Sequence, residues 1–433
     1  MRQKYNNYKN SGCQWLGEIP CHWQILKVKH LFEISKDVNN QDDPQILSLT
    51  QKGIKVRDIT TNIGQIAESY ENYRKINKGD IVLNPMDLLS GFVDESKFDG
   101  VISPAYTTLK KTKDINTTFY NYFFQKHYYE KIFFPFGEGV SVDHRWTLKD
   151  FVLMNFPVVA PPKEEQDKIV NFLNNKLEKI DQILKKNDKL LELLEEKQRA
   201  MITQTVIGGL DRHTEMKDSG VEWIGKIPKN WKLQRIKSVV SNRIGGLWGA
   251  NKQNDNNDIF CVRVADFDYV NFRIKEPSTI RNVSEKDISS KILKDGDILI
   301  EKSGGGDKHP VGRILTYKGK SKSVCSNFIE KVTLEKHILP DFFMYFNYFL
   351  YSSKINTRSI KQTTGIQNLD IDSYFKELIC LPSIEEQRNI VNYINEKNVF
   401  FNKIRKLILT KNKKLEKYYQ SLISNTVTGK IKV

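Results

Sequence analysis

Apolar side chains recur at alternating steps of three and four along one long stretch of the chain. The stretch runs from Pro161 to Gly208, and its seam consists of Val170, Leu173, Leu177, Ile180, Leu184, Asn187, Leu191, Leu194, Gln198 and Met201. This spacing predicts a long amphipathic helix that packs against another helix. Prolines before the first turn, the acidic pair Glu164 and Glu165, and a terminal glycine fit the two ends of such a helix.

The pattern returns from Pro382 to Gly429, with Glu385-Glu386-Gln387 aligned on Glu164-Glu165-Gln166. Ser383 and Glu386 fit a capping box at the start of this second helix. Its seam is more polar and consists of Val391, Ile394, Asn398, Phe401, Arg405, Ile408, Asn412, Leu415, Tyr419 and Leu422. A polar residue on a seam, such as Asn187, costs stability but fixes the register of the pair.

The two helical copies differ in charge, which favours pairing between them inside one molecule. From Glu164 to Thr205 there are eight Lys and Arg against nine Asp and Glu, and from Glu385 to Thr426 there are nine against four. The alternative is two unrelated amphipathic helices, each packed on its own domain. Helices this long need a partner along their length, and we expect the contacts from Leu173, Leu177, Ile180, Leu184, Leu191, Leu194, Ile394, Phe401, Ile408 and Leu415.

A second repeated motif precedes each helix, so the repeat covers more than the helices. SGxxWxGxIPxxW occurs from Ser11 to Trp23 and again from Ser219 to Trp231. The tryptophans are predicted to anchor a core rather than to stack on a ligand. Each motif leads into a strand-like run, Ile25 to Phe32 and Leu233 to Val240, and then into a globular stretch with a divergent insert.

These patterns predict an α+β fold with an internal repeat of pseudo-twofold character. Two globular mixed α/β domains occupy residues 1–160 and 209–381. The two long helices occupy 161–208 and 382–433. A constant frame that holds different inserts is typical of a scaffold around variable recognition surfaces.

Composition indicates a polyanion as the partner of the chain. The chain has 433 residues with a net charge of +16 and a pI of about 9.3, and the basic residues are spread over both halves. An extended basic surface of this kind is typical of nucleic-acid binding. No apolar run is long enough to span a bilayer, and the N-terminus lacks an apolar signal core. Five cysteines without a C-x-x-C pair indicate a reducing cytoplasm.

Motifs for catalysis are weak in this sequence. Ser303 to Lys308 is rich in glycine but lacks the phosphate-loop spacing, so a hairpin turn is favoured. Neither a methyltransferase catalytic loop nor a dinucleotide-type glycine fingerprint is present. Asp87, Glu95 and Lys97 form a degenerate nuclease-like pattern that could hold Mg²⁺. The histidines lack metal-ligand spacing, so we expect a binding protein with no catalytic or metal residues.

The doubled order of motif, globular region, Pro-x-x-Glu-Glu-Gln and long helix resembles the DNA-specificity subunit of type I restriction–modification systems. The resemblance covers essentially the whole chain. It implies two target recognition domains, each reading one half of a bipartite double-stranded DNA target, and an antiparallel coiled coil that sets the gap. Partners would be two methyltransferase subunits, which use S-adenosylmethionine, and motor-nuclease subunits, which use ATP and Mg²⁺. No cofactor is expected in this chain, and a cytoplasmic bacterial or archaeal location is implied.

Candidate DNA-binding residues are expected in loops before the last strand of each domain and at other basic positions. In the second domain these loop residues are Arg358, Lys361, Gln362, Thr363, Thr364, Gln367 and Asn368, and in the first they are Ser141, His144, Arg145 and Trp146. Further candidates are Lys52, Lys55, Arg57, Arg74, Lys75, Arg243, Asn251, Lys252, Lys302, Lys308 and Arg313. Three alternatives stay open: a specificity subunit of a smaller restriction–modification complex, an autonomous Mg²⁺ nuclease, and a coiled-coil scaffold that binds no DNA.

Overall fold

The computed structural model describes residues 4–39, 43–58, 69–139, 146–211, 213–363 and 365–433. These residues form two compact units, one of residues 1–187 and 410–433 and the other of residues 188–409. The candidate residues Ser141, His144, Arg145 and Thr364 lie outside the described residues. None of the helices in the described ranges is long and apolar enough to cross a lipid bilayer.

In its described residues the first unit forms twelve short strands and two short α-helices. Its strands are β1 Tyr8–Asn10, β2 Glu18–Pro20, β3 Gln24–Lys27, β4 Phe32–Ile34, β5 Leu47–Thr50, β6 Gly53–Val56, β7 Arg74–Ile76, β8 Ile81–Leu83, β9 Val93–Glu95, β10 Gly100–Ile102, β11 Thr107–Lys111 and β12 Pro157–Ala160. Its short helices are α1 Thr117–Tyr129 and α2 Asp150–Asn155. The long helix α3 spans Lys163–Gly208.

The second unit carries a larger set of strands. They are β13 Met216–Asp218, β14 Lys226–Pro228, β15 Lys232–Arg235, β16 Val240–Gly245, β17 Ala250–Asn251, β18 Asp258–Val262, β19 Phe267–Asp268, β20 Arg273–Ile274, β21 Ile280–Asn282, β22 Ile298–Glu301, β23 Ser303–Gly305, β24 Ile314–Thr316, β25 Ser323–Cys325, β26 Ile329–Leu334, β27 Ile360–Thr363, β28 Ile366–Leu369 and β29 Leu378–Leu381. Its helices are α4 Glu285–Lys291, α5 Pro340–Ser352 and α6 Ile371–Tyr374, and α7 spans Ile384–Val427.

Both units contain the same frame, so the sequence repeat is also a repeat of topology. A four-stranded sheet has the order β4-β11-β8-β9 in one unit and β16-β26-β22-β24 in the other. The hairpin β1–β2 corresponds to β13–β14, and the pair β3–β12 to β15–β29. The mixed α+β fold predicted from sequence is confirmed. The strand-like runs are shorter than predicted, since 3-10 turns at Val28–His30 and Ile236–Val239 interrupt them.

The repeated tryptophan motif builds the same hairpin in both units. The Ser11 N–H donates to the Gly17 carbonyl at 3.0 Å, and Ser219 and Gly225 repeat this bond at 3.0 Å. The following tryptophans, Trp23 and Trp231, are 0% and 1% exposed. They anchor the cores, as the sequence predicts.

The glutamine of each Glu-Glu-Gln motif ties the start of a long helix to a neighbouring helix. Gln166 donates to the Pro161 carbonyl at 2.8 Å and accepts from the Asn116 N–H, before α1, at 2.9 Å. Gln387 repeats this arrangement before α5, donating to the Pro382 carbonyl at 3.1 Å and accepting from the Leu339 N–H at 2.8 Å. Buried polar groups need such partners, which explains the repeated residue type.

Within each unit the segments of α3 and α7 run in opposite directions. In the first unit the Trp23 indole donates to Glu165 near the start of α3 at 3.1 Å, and a β-carbon at Gly429, beyond the end of α7, would lie 3.1 Å from the Trp23 ring. In the second unit the end of α3 at Gly209 lies beside Glu386 in the first turn of α7. Opposite helix ends therefore meet in both units.

The seam side chains pack inside the units. Leu173, Leu177, Ile180, Leu194, Ile394, Phe401 and Ile408 are all less than 9% exposed, and Leu184, Leu191 and Leu415 are partly buried. The sequence predicts that these ten residues make the helix partner contacts, and packing within each unit covers most of their surface.

Candidate nucleic-acid interface

The candidate residues around 358–368 lie in a β-hairpin, which corrects the predicted loop. Strands β27 and β28 pair with each other, and β28 also pairs with β23. The side chains of Lys361 and Gln362 are exposed on the outer strand, and Arg358 is exposed in the preceding 3-10 turn. The Lys361 ammonium lies 2.7 Å from the Asp370 carboxylate, an exposed ion pair that contributes little stability.

Two other hairpin candidates are less accessible. Gln367 is 6% exposed, and the Asn368 side-chain oxygen accepts a hydrogen bond from the Ser303 hydroxyl at 2.6 Å. The bond between Ser303 and Asn368 links β23 to β28. The exposed surface of the hairpin is therefore the part that remains free for a ligand.

Arg313 is engaged within the unit. Its guanidinium donates twice to Glu301, at 2.7 and 3.1 Å, and lies 3.9 Å from the centroid of the Tyr269 ring. Burial raises the pKa of Tyr269, and the negative charge of Glu301 raises it further. A bidentate pair on a carboxylate that is 2% exposed makes Arg313 an internal anchor. Lys302 is similarly paired with Glu330 at 2.9 Å.

The glycine-rich stretch forms a strand and a tight turn, as expected from the failed phosphate-loop spacing. Gly306 and His309 exchange backbone hydrogen bonds of 3.1 and 3.0 Å around Asp307 and Lys308. The turn borders a cleft of about 610 Å³ within the second unit. Basic side chains on the lining of this cleft are Arg199, Lys308, Arg313, Lys354 and Arg405.

Other candidates of the second unit lie on a separate sheet or groove. Arg243 pairs with Asp372 at 2.9 Å beside a groove that also holds Arg235, Lys237 and Lys376. Asn251 and Lys252 are exposed next to a loop that contains Trp248. Trp248 and Arg281 are not among the candidates predicted from the sequence. For Trp248 the available signal was an aromatic residue between the glycines of GGLWG.

Candidates of the first unit lie on two small strand pairs. Lys52 and Lys55 are exposed on the hairpin β5–β6, and Arg57 follows it. Arg74 and Lys75 are half-buried on β7, where the Arg74 guanidinium donates to the Ser35 carbonyl at 3.4 Å. These positions give the first unit a basic edge on its small strand pairs.

Trp146 packs against the body of the first unit. Its ring stacks on Phe134 with 5.6 Å between centroids, its indole donates to the Phe134 carbonyl, and a β-carbon at Gly137 would collide with it. The Trp146 ring therefore packs on the segment Phe134 to Gly137. Its assignment as a DNA-binding residue stays a prediction.

The nuclease-like residues have local structural partners. Asp87 accepts from the N–H groups of Leu89 and Ser90 at 3.1 and 2.8 Å. Burial raises the pKa of Asp87, but its hydrogen bonds, above all those from Ser90, outweigh burial and leave the pKa lowered. Glu95 accepts from the Thr118 hydroxyl at 2.6 Å. Among the described residues no cluster of three or more His, Cys, Asp or Glu side chains could hold a metal ion.

Comparison with known proteins points to one class. No family model matches the sequence. The chain is 22% identical over 327 residues to the StySPI specificity subunit of Salmonella potsdam, covering 75% of this chain and 67% of the relative. It is 22% identical to the EcoBI specificity subunit of Escherichia coli, covering 92% and 82%, and 23% identical to the MjaIX specificity subunit of Methanocaldococcus jannaschii, covering 96% and 95%. All three are named as type I restriction enzyme subunits.

A solved structure supports the fold. One chain, from a study of complex assembly in the type I restriction–modification system, matches with a TM-score of 0.69 at 15% identity, covering 94% of this chain and 98% of that chain. Two topologically matched units, each with segments of both long helices, define a protein of duplicated design. The resemblance seen in the sequence is confirmed: the curated relatives that match the chain are type I restriction enzyme specificity subunits, and the smaller complex is not favoured.

Proposed function

We propose that this chain reads a bipartite double-stranded DNA target, with one half-site for each unit. The observation that carries the proposal is one frame built twice, with different exposed elements added to each copy. Both units add a strand with one antiparallel and one parallel neighbour, β5 beside β6 and β10, and β18 beside β21 and β25. Among the described residues, the first unit further adds β7, whereas the second adds β17, the pair β19–β20 and helix α4. Different elements on identical frames would read different base sequences, and the net charge of +16 favours the phosphate backbone.

The long helices would set the gap between the half-sites. Helices of 46 and 44 residues are each about 70 Å long at ~1.5 Å per residue. Half-site spacing in two-headed DNA readers follows from the geometry of the protein that joins the heads. The predicted domains, 1–160 and 209–381, would then act as separable readers.

The outer face of the helix pair in the second unit offers a docking surface for a methyltransferase subunit. If Leu191 and Gln198 take heptad position a, then Leu190 and Leu193 fall at g and c. If Asn398 and Arg405 take position a on α7, three further apolar residues fall at the same two positions. Ile404 falls at g, and Phe400 and Leu407 fall at c. Antiparallel pairing puts the g positions of the two helices side by side.

We call these five residues the g-side patch. Leu190, Leu193, Phe400 and Leu407 are 47%, 49%, 58% and 62% exposed. Contiguous apolar residues with this exposure are typical of protein-interaction sites. The methyltransferase subunits would supply S-adenosylmethionine chemistry and the motor-nuclease subunits ATP- and Mg²⁺-dependent cleavage, so this chain itself would carry out no catalysis.

The test is methylation mapping. The chain is co-produced with its methyltransferase in cells that lack other adenine methylation, and modified adenines are located by sequencing. We expect one bipartite motif, and no methyl transfer by the purified chain alone. Replacing residues 21–160 with the equivalent segment of a relative should change one half of the motif and leave the other half intact. Changes in both halves, or no motif, would contradict the proposal.

A further inference from the structure

Trp248 stands in a loop that the surrounding structure holds rigidly while its side chain remains 40% exposed. The loop joins β16 to β17, which is an edge strand of the sheet β17-β21-β18-β25. An exposed tryptophan on a mobile loop would be unremarkable. The loop that carries Trp248 is held by close glycine contacts on both sides of the tryptophan and by the side chain of Arg281.

Glycines allow the loop to lie tightly on the sheet. A β-carbon at Gly246 would lie 2.1 Å from the carbonyl oxygen of Ser326. Gly249 has a φ of +66°, and a β-carbon there would lie 2.5 Å from the Asn282 carbonyl oxygen. Both positions therefore require glycine, on either side of Trp248.

Arg281 on β21 clamps the loop. Its guanidinium donates to the Trp248 carbonyl at 3.0 Å, to the Gly249 carbonyl at 2.9 Å and to the Asn251 side-chain oxygen at 2.7 Å. It also lies 4.6 Å from the centroid of the Trp248 ring. One side chain thus fixes both the backbone and the ring, and the planar fork of arginine is suited to this combination.

We propose that Trp248 is a specificity-determining residue for the second half-site and that Arg281 is its positioning residue. The partner is double-stranded DNA, so the inference rests on the proposed function. Trp248 would make an apolar contact with the bases, next to the exposed Lys252, whose ammonium suits a phosphate. The Asn251 side-chain oxygen stays bound to Arg281. Because Arg281 already orders the Trp248 side chain, that side chain would lose little conformational entropy when DNA binds.

The test uses the full chain in complex with its methyltransferase and duplexes built from the wild-type motif. We expect Trp248→Ala to weaken binding of the complete target roughly 5- to 150-fold, the range for the loss of one base contact. Affinity for a duplex whose second half-site is scrambled should stay unchanged. Trp248→Phe should restore part of the loss because it retains an aromatic ring, which guards against a folding artefact.

Arg281→Lys keeps the charge but loses the fork. It should relax the methylated motif at the second half-site only, with an unchanged melting temperature. Phe151→Ala, an exposed aromatic on α2 of the first unit, is the matched control and should leave the second half-site intact. Wild-type affinity and motif in Trp248→Ala would overturn the inference. Absence of any bipartite motif in the wild-type complex would instead overturn the proposed function.

Discussion

The side-chain amide of Asn187 on α3 donates a hydrogen bond of 2.6 Å to the side-chain oxygen of Asn412 on α7. Both residues occupy seam positions of the first unit, so two polar breaks in the apolar pattern satisfy each other. The second unit repeats the principle, since Gln198 donates to Asn398 at 2.7 Å and accepts from Arg405 at 3.0 Å. Polar residues that pair only in one alignment specify register.

Breaking the asparagine pair should destabilise the first unit. Asn187→Leu leaves a polar group of Asn412 without its partner, at a cost of about 1 kcal/mol because Asn412 is half-buried. The double variant with Leu at both positions should recover the loss, since two apolar groups pack well on a seam. Urea unfolding of the single and double variants measures this, and a double variant less stable than either single one would contradict it.

His127 should make the first unit sensitive to acid. Burial among aromatic rings, together with the nearby charge of Lys126, lowers the pKa of His127 to about 3. The unfolded chain takes up a proton below about pH 6.5 while the folded unit does not, so stability is present above that pH and declines as pH falls towards 3. The slope approaches about 1.4 kcal/mol per pH unit. Unfolding measured from pH 7 to 4.5 should show it, and His127→Phe should reduce it.

Lengthening both long helices should widen the gap in the DNA target. Four residues inserted after Asn187 in α3 and four after Leu409 in α7 add about 6 Å at ~1.5 Å per residue. At ~3.4 Å per base pair, the unread spacer should grow by one to two pairs, with both half-sites unchanged. Methylation mapping reads the spacer directly. An insertion in α3 alone is the control and should abolish activity, because it breaks the seam between the helices. An unchanged spacer in the double insertion would show that the helices do not set the gap between the half-sites.

A charge on the g-side patch should release the methyltransferase. Leu407→Asp places a carboxylate on an apolar docking face, and co-purification of the methyltransferase with the chain should fall at least tenfold. Val399→Asp is the matched control, because Val399 is 71% exposed on the same helix but at heptad position b, away from the patch. Equal loss in both variants would show that the patch is not the docking site.

The sequence by itself determined the periodic features. Apolar residues spaced alternately by three and four, with prolines before them and a glycine after them, predict a helix from local sequence alone. The structure shows that α3 ends where Gly209 adopts a φ of +74°. In the same way Ser383 accepts from the Glu386 N–H at 3.2 Å, as its place in a capping box predicts. Duplicated motifs revealed the repeat because identical frames need identical anchors, such as Trp23 and Trp231.

Only the tertiary structure decided which polar side chains are available to a ligand. Arg313 and Lys361 look alike in sequence, yet one is held by Glu301 inside the unit and the other is exposed on a hairpin. Trp146 and Trp248 are also alike in sequence, but Trp146 stacks on Phe134, whereas Trp248 is 40% exposed and held by Arg281. Burial and pairing depend on contacts between residues far apart in the chain, and local periodicity carries no record of those contacts.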